Sequence, residues 1–98
     1  MEMRIGLYTW TIKLVDRKSI DGNDGRCLPN DFEILIADDL NGQARLLSFI
    51  HELVHAIMDT QGRCYTKKLG IEEMCEFIAW KYPEIEECVN DFCNKIGG

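Results

Sequence analysis

The sequence predicts an α+β fold: a small N-terminal antiparallel or mixed β-sheet packed on one central helix and two further helices. Three observations predict it. Met3–Asp16 and Phe32–Ala37 are rich in Ile, Leu, Val, Tyr, Trp and Thr, with no helical period. From Leu46 to Ile96 the apolar side chains recur at three- and four-residue spacing. The 98 residues, 46% hydrophobic and 29% charged, have the balance of a globular chain with one hydrophobic core, so a single domain over residues 1–98 is expected.

In Met3–Asp16, Leu7, Thr9, Thr11, Lys13 and Val15 share one face. Tyr8, Trp10, Ile12 and Leu14 share the other, more apolar face. The expectation is a strand, or a tightly bent pair of strands, buried through that second face. Asp21-Gly22-Asn23-Asp24-Gly25 reads as a loop, because these residues tolerate left-handed conformations and hydrogen-bond their own backbone. Its acids lack the spacing and the distal glutamate of an EF-hand calcium loop. Phe32–Ala37 is the second expected strand, and Asp38-Asp39 with Asn41-Gly42 turn the chain into the central helix. Leu46, Leu47, Ile50, Leu53, Val54 and Ile57 give that helix its period, and Gly42 and Gly62 lie outside the run.

Gln61–Lys68 is a polar connection. Ile71, Met74, Cys75, Ile78 and Tyr82 mark the apolar side of the next helix. Pro83 is expected to stop it, since the residue before a proline is pushed out of the helical region. A third helix then begins at Pro83, with Glu84, Glu86 and Glu87 at its positive dipole end. Ile85, Cys88, Val89, Phe92 and Ile96 form its stripe, and Gly97 ends it.

The net charge of −6 argues against nucleic acid or an anionic membrane as the main partner. The start Met-Glu-Met-Arg-Ile-Gly lacks the pattern of a signal peptide, and no apolar run is long enough to span a bilayer. Five cysteines, odd in number and without a C-x-x-C pair, fit reduced thiols in a cytoplasmic protein.

The chemistry concentrates in Ser48–Asp59, S-F-I-H-E-L-V-H-A-I-M-D, which holds both histidines of the chain. On a helix His51 and His55 stand one turn apart on one face and can grip a single metal ion. Glu52 projects about 100° round the helix, within reach of a metal-bound water. This is the H-E-x-x-H arrangement of zinc peptidases, with two neutral imidazoles on one zinc and the glutamate as general base. A third protein ligand is required, and no third histidine exists. Glu72, Glu73 and Glu76 lie on the next helix. A helical wheel centred on Ile71, Cys75, Ile78 and Tyr82 puts Glu72 beside Cys75 and Ala79 at the edge of the apolar face, and Glu73 away with Trp80. Glu72 is therefore the expected ligand, Glu76 a partner that orients a histidine or an alternative ligand, and Glu73 a solvated residue that becomes the ligand if the helix phase is off by one. Asp59, Cys64 and Cys75 are the next ligands in line.

Ser48–Asp59 followed by Glu72-Glu73-Met74-Cys75-Glu76-Phe77-Ile78-Ala79 resembles the small gluzincin metallopeptidases of the ImmA/IrrE type and their compact phage-encoded relatives. The resemblance covers roughly Phe32 to Tyr82. It sets Glu72 at the ligand position of a segment E-x-x-A-[ND]-x-F-A, with Glu76 where that pattern has Asn or Asp. It implies a minimal zincin-like core that hydrolyses a peptide bond with zinc-activated water and Glu52 as base. A protein or peptide substrate would lie along Phe32–Ala37 as an added strand. Tyr65, Arg63 and Tyr82 are the residues available to donate to a developing oxyanion. A second reading is a zinc-stabilised interaction module without hydrolysis. A third is a metal-free helical binding protein in which the histidines are incidental.

Overall fold

A computed structural model describes residues 1–60 and 71–96, with Ile71 and Glu72 described by their backbone alone. Strands β1 (Glu2–Ile5), β2 (Tyr8–Val15), β3 (Gly25–Leu28) and β4 (Glu33–Ala37) form one mixed sheet in the order β1-β2-β4-β3. Helices α1 (Gly42–Thr60) and α2 (Ile71–Ile96) complete the α+β fold. Among the described helices none is long and apolar enough to cross a membrane.

The N-terminal segment is the bent pair. β1 and β2 are antiparallel, with Met3 opposite Trp10 and Ile5 opposite Tyr8, and Gly6 takes a positive φ of 63° in the turn between them. β2 runs parallel to β4, and β4 antiparallel to β3. The pleat decides which side chains are covered. Met3, Ile5, Trp10, Ile12, Ile34 and Ile36 are buried with Phe49, Leu53, Ala56 and Ile57 of α1 and Ile85, Cys88 and Phe92 of α2. Both helices thus supply the core, and Phe49 stacks on Phe92 with ring centroids 4.1 Å apart. The apolar face of β2 is buried only at its middle, since Tyr8 and Leu14 are exposed.

Three expectations change. β3 begins inside what reads as a loop: Gly25–Leu28 contains no β-branched residue and forms a strand because the turn Pro29–Asp31 folds it back onto β4. That turn closes with Phe32 at φ 52°, a left-handed value held by its ring contacts with Tyr8 and Trp10. Second, β4 is interior rather than available to a peptide, because β2 and β3 pair with its two edges. Third, two helices become one. α2 runs through Pro83 because the inward residues continue across it: Met74, Phe77 and Lys81 before, Ile85, Cys88 and Phe92 after. Pro83 sits on the exposed side with Ala79, the residue whose carbonyl its missing N–H leaves without a helical partner. The same stripe resets the phase of this helix, since Cys75, Ile78 and Tyr82 are exposed rather than buried.

Candidate metal centre between the edge strand and helix α1

α1 starts at an Asn41 cap, whose side-chain oxygen accepts from the Ala44 N–H at 3.0 Å. From there the helix carries two functional stripes. Phe49, Leu53, Ala56 and Ile57 point into the core, and His51 and His55 stand exposed on the opposite side. Their imidazole centroids are 4.9 Å apart. Glu52 falls between the stripes and is only 7% exposed.

Burial pushes the Glu52 carboxyl above its ordinary value, and the charge of protonated His51 and His55 works against that rise. His51, Glu52 and His55 each offer one ligand atom within 4.8 Å of the others, a group that could hold a metal ion. The donor types, two imidazoles and a carboxylate, are those that borderline divalent cations accept. Among the described residues neither Glu73 nor Glu76 joins this group. Both line a separate cavity on α2 with Phe77, Ala79 and Trp80. The exposure of Cys75 and Ala79 removes the burial on which the wheel argument for Glu72 rested. The Glu72 side chain, Arg63, Cys64 and Tyr65 lie outside the described residues, and Tyr82 is exposed rather than core.

The wall facing the motif is β3. At Gly25 the strand backbone comes so close to α1 that an added Cβ would lie 2.7 Å from Ser48 Oγ and 3.1 Å from Glu52 Cγ. Glycine is required there by space, not by backbone angle. Two openings flank this contact. One, about 420 Å³, is lined by Asn23, Asp24, Gly25, Ala44, Leu47, Ser48, His51 and Glu52. The other, about 320 Å³, is lined by Gly25, Arg26, Cys27, His51, Glu52, His55 and Asp59. They share Gly25, His51 and Glu52, so a groove runs between the edge strand and the histidine face.

No protein-family model, curated protein or solved structure matches this chain. The groove must be read from its own residues. The segment carrying it is tied down from the far side by Arg17. Its guanidinium donates to both Asp39 oxygens, at 3.0 and 2.7 Å, and to Asp24 at 2.8 Å. These bonds link the loop before β3 to the turn before α1 and hold the Asp39 carboxyl below its usual range.

Sequence reasoning missed the edge strand, and with it Gly25, Cys27 and Ser48. The one signal was the turn Pro29-Asn30-Asp31, which sits between Cys27-Leu28 and the apolar run Phe32–Ala37.

Proposed function

We propose that the protein is a zinc-dependent peptidase of the small gluzincin type acting in the cytoplasm, with His51, His55 and Glu72 as metal ligands and Glu52 as general base. The observation that carries this reading is the buried Glu52 beside two exposed imidazoles, on the wall of a groove bordered by a strand edge. Zinc, when bound, polarises a scissile carbonyl and makes water a nucleophile near neutral pH. Glu52 does the proton work: its raised carboxyl can accept a proton and return it to a leaving amine. The substrate peptide pairs with β3 in place of the interior β4, and Gly25 keeps the strand backbone against Glu52. Tyr65 is assigned as oxyanion donor from the sequence alone.

Elemental analysis and Glu52→Gln test the reading. About one zinc per chain is expected, retained in Glu52→Gln, whose amide keeps the shape but cannot accept a proton, with hydrolysis of a mixed peptide library abolished. Loss of zinc together with surviving hydrolysis would defeat the assignment of Glu52. Zinc binding without hydrolysis in the unmutated protein would favour the interaction module instead.

A further inference from the structure

We propose that Cys27 is a further ligand of the metal held by His51 and His55, its thiolate closing the centre from the edge strand. The inference rests on the proposed zinc site and adds a donor to it. The pleat fixes the direction of the side chain. Cys27 is paired with Ile34, a core residue, and Gly25 with Ile36, so both project to the helix side of the sheet. Contact of Gly25 with Ser48 and Glu52 then sets where Cys27 meets α1. One strand repeat further on, about 6.6 Å along, lies the next helical turn, with His55, Ala56 and Asp59. Cys27 accordingly lines the same 320 Å³ opening as His51, Glu52, His55 and Asp59.

Three kinds of donor, imidazole, carboxylate and thiol, thus converge on one opening from two elements. The thiol stands outside the His51–Glu52–His55 group whose ligand atoms lie within 4.8 Å of one another, so ligation has it close across the opening. Two imidazoles with a thiolate form a donor set that zinc takes readily, and the thiol proton is released to solvent as the sulfur–metal bond forms.

Cobalt(II) loading tests the assignment without any substrate. The metal-loaded wild type should show a thiolate-to-cobalt charge-transfer band in the near ultraviolet. Cys27→Ser should lose that band while still binding about one cobalt per chain, and Cys64→Ser and Cys75→Ser should keep it. Zinc affinity of Cys27→Ser should fall by at least the roughly 10–100-fold that even the outer partners of a ligand command. A wild-type cobalt form without the band overturns the proposal and leaves the zinc peptidase reading standing. A band that survives Cys27→Ser overturns it too, and a wild type that binds neither metal overturns both. Should Cys27→Ser fold poorly, Cys27→Ala gives a second removal of the sulfur, and loss of the band in Cys64→Ser or Cys75→Ser would overturn the assignment independently.

Discussion

Gly25→Ala reports directly on the seating of β3 against the histidine helix. Its Cβ would meet Ser48 Oγ at 2.7 Å, Glu52 Cγ at 3.1 Å and the Leu35 carbonyl oxygen at 3.1 Å. Carbon atoms in ordinary contact stand about 3.5–4.0 Å apart. The Leu35 oxygen belongs to the backbone of the paired strand and Glu52 is buried, so the strand itself must shift. Overpacking of this kind costs about 1–3 kcal/mol. A stiffer unfolded chain offsets about 0.4–1 kcal/mol of it. The net loss of ~1–2 kcal/mol corresponds to a fall in Tm of about 4–16 °C for a domain of this size. Ser48→Ala removes the nearest atom, a buried hydroxyl with no hydrogen-bond partner among the described residues. It also inserts a better helix former, so alone it should be neutral or stabilising. In the double mutant the clash is relieved, and the two changes should couple by about 0.5–3 kcal/mol. Thermal and urea unfolding in the presence of a chelator, followed by circular dichroism, measures all four corners. A neutral Gly25→Ala, or two changes that simply add, would refute this packing of β3 on the motif.

Three other outcomes are expected. In metal-free protein the raised Glu52 carboxyl opposes folding once ionised, so wild type should match Glu52→Gln near and below the ordinary value of 4.5. It should then lose stability relative to that variant as pH climbs through the raised value, which urea titrations across the acid-to-neutral range will show. Pro83→Ala restores a helix donor in the interior of α2 and should stabilise by up to about 3 kcal/mol; a lower melting temperature would contradict a continuous helix. In zinc titrations Glu72→Ala should lose affinity sharply, while Glu73→Ala and Glu76→Ala, exposed residues that line a separate cavity on α2, should do little; equal retention in all three would move the ligand elsewhere.

The parts legible in the sequence were those whose period is set by one neighbour. The bent pair at Met3–Asp16 has one covered face, so its alternation survives in Trp10 and Ile12. The helix from Leu46 onward keeps a strong period because one long stripe meets the sheet. Where two influences compete, the pattern misleads. Ile71, Cys75, Ile78 and Tyr82 make a plausible stripe, yet Met74, Phe77, Ile85, Cys88 and Phe92 make a longer one across the proline. The longer stripe decides, because it buries residues on both sides of Pro83 at once. Gly25–Leu28 was hidden for another reason. Its strand character comes from pairing with β4 and not from its own propensity.

The motif itself was legible, but its spacing alone does not explain why the three side chains meet different environments. Around α1, with His51 at the origin, His55 lies about 40° away, Ser48 and Asp59 about 60° and 80°, and Glu52 about 100°. The core stripe of Phe49, Leu53 and Ala56 is centred near 160–180°. Exposed imidazoles therefore grade into a buried carboxylate over about a quarter turn of one helix. β3 covers that boundary, touching Ser48 and Glu52 through Gly25 and facing the next turn through Cys27. The desolvation that raises Glu52 thus owes to the edge strand as well as to the core. A change that lifts β3, such as Gly25→Ala, should return the Glu52 carboxyl towards its ordinary value while leaving the two imidazoles one turn apart. Core changes beneath α1 would disturb all three together.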